Sequence, residues 1–127
     1  MIYGTGIDVV EIDRIEKELA RYGDRFCETL FTKDEIAYCK RGSNRKAQSQ
    51  CFAGRFAAKE AFFKAIGTGL RNGLQWKDIE ILNDTLGKPK ILLREKAQEL
   101  VKKEKISNIQ LSISHNHSCA VAAVILE

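Results

Sequence analysis

An α+β domain, in which a small antiparallel sheet is covered on one side by a long central helix, is the fold class this sequence predicts. Three observations predict it. The first ten residues alternate with the two-residue period of a strand, an Ala- and Phe-rich run from about Gln50 to Ile66 is long enough for the central helix, and the second half reads strand, turn, strand, helix, strand, turn, strand. The 127 residues fit one domain, 1–127, and no internal repeat, low-complexity tract or linker divides them. A domain of this size buries only about two-thirds of the surface its unfolded chain exposes, so one modest core is expected and an oligomer would help.

The first strand is expected over residues 2 to 9, with Tyr3, Thr5, Ile7 and Val9 on one face and Gly4, Gly6 and Asp8 on the other, the glycines leaving space beside Asp8. From Ile12 the period becomes helical. Ile12, Ile15, Leu19 and Tyr22 fall on one side, Arg14, Lys17, Glu18 and Arg21 on the opposite side, and Gly23 ends or breaks the helix. "TKDE" at Thr32 to Glu35 has the spacing of a capping box and predicts a short helix through Cys39. "KRGSNRKAQSQ" reads as a loop or irregular helix start, and "GTGLRNG" ends the long helix. Strands at 79–82 and 90–93 flank the turn "NDTLGKP". A helix in "REKAQELVKKEK" turns Ala97, Leu100 and Val101 inward, and "IQLSISH" and "CAVAAVILE" are strands joined across "NHS".

Composition narrows the function classes. With 44% hydrophobic and 30% charged residues the chain has too much apolar material for disorder and no apolar run long enough to span a bilayer. "MIYGTGIDVV" lacks the pattern of a signal peptide, so a cytoplasmic protein with no membrane partner is expected. Cys27, Cys39, Cys51 and Cys119 lie far apart without a C-x-x-C, which predicts reduced, mostly packed thiols and neither a zinc site nor a redox pair. The net charge of +4 mildly favours an acidic partner.

Four charges on the apolar helix need explaining. Arg55 and Lys59 project together, and Glu60 and Lys64 form a second line about a third of a turn away, among Phe52, Phe56, Phe62 and Phe63. A solvated Glu60–Lys64 pair would contribute only about 0.2–0.5 kcal/mol, and Arg55 and Lys59 could snorkel from a partly buried face. The crowd of aromatics favours a ligand instead. Cations at helical spacing suit phosphate groups, and Glu60 suits a magnesium ion if a second carboxylate approaches, for which Asp8 is the best candidate. Asp8 could equally be a helix cap or turn residue.

"GTGIDVVEIDRI", "FAGRFAAKEAFFKAIGTG", "NDTLGKPKILL" and "LSISHNHSCAVAAVILE" together resemble, in order and over essentially the whole chain, the small bacterial holo-[acyl-carrier-protein] synthase class of 4'-phosphopantetheinyl transferases. The resemblance implies transfer of the 4'-phosphopantetheine arm from coenzyme A to a serine of apo acyl carrier protein. It implies release of adenosine 3',5'-bisphosphate, a magnesium requirement, a role in fatty acid synthesis, and a homotrimer with sites between subunits. Carried onto this chain, it makes Asp8 and Glu60 the magnesium ligands and puts Lys64 near the reacting phosphate. Arg55, Lys59, Gly87, Pro89 and His115 fall in segments that hold the nucleotide. Glu60, directly or through a bound water, is then the candidate base, with Asp8 and Lys64 completing the catalytic set. The acidic carrier protein would dock on Arg14, Lys17 and Arg21, extended by Arg25. The family often carries an acidic residue and an aromatic after its S-x-S-H, where this chain has Asn116 and Cys119.

His115 and His117 stand two apart and tend toward opposite faces, which argues against a chelating pair. The rival class is a small basic nucleic-acid-binding protein, supported by the net charge and the basic stripe. Against it, the aromatics lie on an apolar helix and are not interleaved with Lys and Arg, so nucleic acid is not an expected partner.

Overall fold

A computed structural model describes residues 1–71 and 73–127; Asn72, within the predicted "GTGLRNG" turn, lies outside the described residues. The first strand, β1, runs Gly4–Glu11 and passes at once into helix α1, Ile12–Tyr22. Gly23 ends α1 at φ 55°, where its N–H donates to the Leu19 carbonyl, and a second short helix, α2, follows over Asp24–Leu30. The predicted capping box is present. Thr32 Oγ1 accepts from the Glu35 N–H and Glu35 Oε1 accepts from the Thr32 N–H, opening α3, Lys33–Lys40.

The central helix α4 spans Arg45–Ile66, five residues longer at its start than the expected range, because Asn44 caps it by accepting from the Ala47 N–H at 2.8 Å. It stops at Gly67, whose φ of 86° is a left-handed conformation that L side chains rarely adopt. After a single 3-10 turn at Trp76–Asp78 come β2, Ile79–Asn83, β3, Pro89–Leu93, helix α5, Glu95–Lys103, and strands β4, Ile109–His115, and β5, Cys119–Leu126. Ala97 is fully buried and Leu100 and Val101 pack against the core, as their spacing predicts.

The strands form two antiparallel sheets, β1-β5-β4 and β2-β3, where one was expected. The larger sheet lies on α4, and the glycines of β1 explain how closely. A Cβ at Gly4 or Gly6 would overlap the main-chain carbonyl of Ala65 or Ala61, so the space beside Asp8 is filled by the helix backbone and is not open. Small residues suit the close approach: Ala57, Ala58, Ala61 and Ala65 of α4 are buried, as are Ala120, Ala122 and Val124 of β5, which packs against the helix, and Phe52 and Phe62 are fully buried in the same core. Burying each such phenylalanine contributes about 1.5–3 kcal/mol. The opposite sheet face keeps its apolar residues uncovered: Ile7 and Val9 are each 60% exposed, next to Val121, Ala123 and Ile125 of β5.

The thiol expectation fails at one pair. Cys39 and Cys51 form a disulfide between the end of α3 and the first half of α4, while Cys27 and Cys119 are free. Their separation of 12 residues hides the pairing, since it arises only when α3 folds back onto α4. Among the described residues, no helix is long and apolar enough to cross a membrane.

Candidate active site

Strand β1 and helix α4 bring together residues that lie more than fifty positions apart. Lys64 Nζ donates to the Asp8 carboxylate at 2.9 Å and to the Ile7 carbonyl at 3.0 Å, so the lysine bridges from the last turn of the helix to the strand. This pairing replaces the Glu60–Lys64 pair that i,i+4 spacing offers. Glu60 makes no ion pair among the described residues. Burial and then the negative charge of Asp8 push the Glu60 carboxyl above its ordinary range, against the pull of Lys64 and Arg14. Two partly buried carboxylates that oppose each other's charge and a half-exposed ammonium therefore share one place at the strand–helix crossing.

Arg55 and Lys59, expected to act together, part company. Lys59 is fully buried, and its Nζ donates to Glu35 Oε1 at 2.8 Å and to the carbonyls of Trp76 at 3.0 Å and Ile79 at 2.6 Å. All three ammonium protons are used, so Lys59 neither faces a nucleotide nor snorkels; it joins α4 to α3 and to the start of β2. Burial pushes its ammonium below the ordinary value, opposed chiefly by the Glu35 charge. Glu35 also accepts from the Ile81 N–H at 3.0 Å. The capping-box spacing revealed Glu35 in the sequence but not this second duty.

Arg55 edges a cavity of about 310 Å³ with Tyr38, Asn83, Gly87, Pro89 and His115. Four of the five residues predicted for the nucleotide, Arg55, Gly87, Pro89 and His115, thus line one space. The cavity wall is built by hydrogen bonds from the β2–β3 turn. Arg55 Nη2 donates to Asn83 Oδ1 at 2.6 Å, and Asn83 Nδ2 donates to the Gly87 carbonyl at 2.8 Å. Asp84 Oδ1 accepts from the Leu86 and Lys88 N–H groups, both at 2.9 Å, which fixes the turn with Gly87 at φ 87°. The Arg55 guanidinium lies 4.4 Å from the Tyr38 ring centroid, a cation–π contact. Asn83 and Tyr38 carry no sequence pattern of their own, and only folding reveals them.

The basic residues Arg14, Lys17 and Arg21 are exposed on α1, and Arg25 is exposed on α2 beyond the break at Gly23. Asn116 takes a structural part in the β4–β5 turn: its Oδ1 accepts from the N–H groups of Ser118 and Cys119, both at 2.9 Å.

The fold defines a small α+β protein with Asp8, Glu60 and Lys64 at one strand–helix crossing, and the chain belongs to the 4'-phosphopantetheinyl transferase superfamily, whose family model matches residues 4–122. More particularly, it is 51% identical over 127 residues to the holo-[acyl-carrier-protein] synthase of Geobacter sp. strain M21, covering 100% of this chain and 99% of that protein. It superposes with a TM-score of 0.90 on the crystal structure of holo-[acyl-carrier-protein] synthase from Neisseria meningitidis, at 34% identity, covering 100% of this chain and 99% of that one. A holo-(acyl-carrier-protein) synthase from Bacillus anthracis in complex with CoA (3',5'-ADP) matches with a TM-score of 0.81 at 40% identity, over 99% of this chain and 96% of that one.

Proposed function

We propose that this chain, as a single transferase domain over 1–127, transfers the 4'-phosphopantetheine group of coenzyme A to a serine of apo acyl carrier protein. The products are adenosine 3',5'-bisphosphate and the holo carrier protein for fatty acid synthesis. The observation that carries the reading is the meeting of Asp8, Glu60 and Lys64 at the β1–α4 crossing. The donor set fits magnesium, which favours one or two carboxylates plus substrate phosphates, and the mutual opposition of Asp8 and Glu60 is what a divalent cation would relieve. Bound by Asp8 and Glu60, magnesium would neutralise the pyrophosphate of coenzyme A.

The chain's own groups supply the rest. The serine oxygen attacks the phosphorus that carries pantetheine, and the bond from that phosphorus to the oxygen of the departing nucleotide breaks. Glu60 takes the serine proton, directly or through a water. Lys64, whose side chain is 54% exposed, can exchange the Asp8 carboxylate for a phosphate oxygen and meet the charge that develops on the leaving group. Arg55, Gly87, Pro89 and His115 hold the nucleotide in the cavity they line.

Arg55 and Glu60 stand about 140° apart around α4, so the cavity and the carboxylates face different directions on one copy. Completing a site from two copies accounts for this and for the uncovered apolar face around Ile7 and Val9, and both support a homotrimer with sites between subunits. Arg14, Lys17, Arg21 and Arg25 form the docking face for the acidic carrier protein, and a cytoplasmic location goes with the reading. The nucleic-acid alternative loses support, because Phe31, Phe52, Phe62 and Phe63 are buried and offer no stacking platform.

The test is intact-mass spectrometry of apo acyl carrier protein incubated with this protein, coenzyme A and magnesium. A gain of one phosphopantetheine group, abolished by a chelator, is expected. No gain with several carrier proteins and a demonstrably folded protein would overturn the reading.

A further inference from the structure

The Cys39–Cys51 pair lies against the Arg55 cavity. Their Cα atoms are 5.4 Å apart, within the range a disulfide requires. Cys39 is 1% exposed, while Cys51 is half-buried and reaches the cavity wall. Arg55 Nη1 lies 3.3 Å from Cys51 Sγ. In the opened pair, that cation would favour a thiolate on Cys51, which makes the cavity-facing sulfur the nucleophile and leaves the buried Cys39 to resolve.

We propose that Cys39 and Cys51 are a reversible thiol–disulfide pair whose closure weakens the cavity's hold on an adenosine bisphosphate; the second half of this proposal rests on the nucleotide reading of the cavity. The oxidant is a low-molecular-weight disulfide such as glutathione disulfide. Cys51 thiolate attacks one of its sulfurs, forming a mixed disulfide and expelling one thiolate. Cys39, its proton passing to that thiolate, then attacks Cys51 Sγ and expels the second thiol. Two protein thiols are oxidised, one small disulfide is reduced to two thiols, and a dithiol reverses the sequence.

Geometry couples the pair to the ligand. Tyr38 precedes Cys39, and its ring carries the Arg55 guanidinium, whose Nη1 faces Cys51 Sγ and whose Nη2 is held by Asn83. With the bond closed, Arg55 is 5% exposed and its Nε is buried without a partner among the described residues. The cation is thus shut in by the elements the disulfide ties together. Opening the bond replaces a covalent contact with a van der Waals one, so the end of α3 eases from α4, Tyr38 moves with it, and Arg55 gains freedom to meet a phosphate.

The experiment equilibrates the protein with glutathione disulfide or with a dithiol, locates bonds by peptide mapping, and measures binding of adenosine 3',5'-bisphosphate by calorimetry. Expected are a Cys39–Cys51 crosslink in the oxidised sample and binding weaker there by ~5-fold or more, within the range of site-to-site coupling. Cys39→Ser should carry one glutathione on Cys51 and form no crosslink. Cys39→Ala serves if a buried hydroxyl upsets folding. Free Cys39 and Cys51 thiols throughout, or equal affinity of crosslinked and reduced protein, would overturn the proposal. Failure of both forms to bind would overturn the nucleotide reading and the gating with it, whereas the mapped crosslink reports on the redox pair alone.

Discussion

Two lysines of α4, five positions apart, each meet a carboxylate at nearly the same distance, 2.8 Å for Lys59–Glu35 and 2.9 Å for Lys64–Asp8. Their surroundings differ completely. The first pair has side-chain exposures of 0% and 0%, and the second of 54% and 16%. A sealed pair has no water to replace a lost partner, so it fixes α4 against α3 and β2 and cannot take part in exchange. An open pair is held weakly and can trade its partner for a phosphate or a metal ion. One helix thus carries a structural lysine and a usable one, and burial distinguishes them.

The largest expected effect breaks the sealed pair. Lys59→Met leaves Glu35 charged, buried and unpaired, and should cost about 3–5 kcal/mol of stability. Adding Glu35→Gln should recover part of the loss by removing the buried charge, and only part, since the Thr32 and Ile81 N–H groups bond different oxygens of Glu35 and the amide keeps an acceptor for one of them. Denaturant unfolding measures both. An unchanged midpoint together with weakened coenzyme A binding would return Lys59 to the nucleotide and end the comparison.

The open site should respond in the opposite sense. Glu60→Gln and Asp8→Ala should each lower turnover by ~10²-fold or more, comparable to removing one preorganised electrostatic group, while the unfolding midpoint stays close to wild type. Wild-type rates at saturating magnesium would remove both carboxylates from the chemistry. A smaller effect is expected on the exposed face of α1. Arg14→Glu with Arg21→Glu should raise the KM for carrier protein about tenfold, a coupling of rim charges, with little change in the KM for coenzyme A. Equal changes for both substrates would move docking elsewhere.

The sequence made the open site easier to read than the sealed one for a physical reason. Asp8 follows two glycines on a strand, and Glu60 and Lys64 share a helix line, so local spacing marks all three. Lys59 has the same helical signature as Arg55, and its fate depends on Glu35, 24 residues away and already explained as a capping residue. The start of α4 was hidden because Arg45 to Gln50 are mostly polar and helix formation there relies on the Asn44 cap. The Cys39–Cys51 pairing depends on how α3 returns along α4, which no local period encodes. Alternation in β1 separated its two faces but could not say that the glycine face lies inward; the close approach of α4 decides that.

The smallest expected effect is a pH dependence at Glu60 in the open site. Burial and the Asp8 charge raise the Glu60 carboxyl above its ordinary 4.5 in the folded chain. Between that value and the raised one, the native state holds a proton that the unfolded chain has released. Stability contributed at Glu60 is therefore present at low pH and declines as pH rises through this window. Glu60→Gln removes the titrating group, so its unfolding free energy should decline less than that of wild type between the two values. Magnesium should also flatten the wild-type curve, since a cation between Asp8 and Glu60 favours the charged carboxylate. Denaturant midpoints measured across this range, with magnesium and with chelator, decide the matter: parallel curves for wild type and Glu60→Gln would show that the Glu60 carboxyl is not raised in the folded chain.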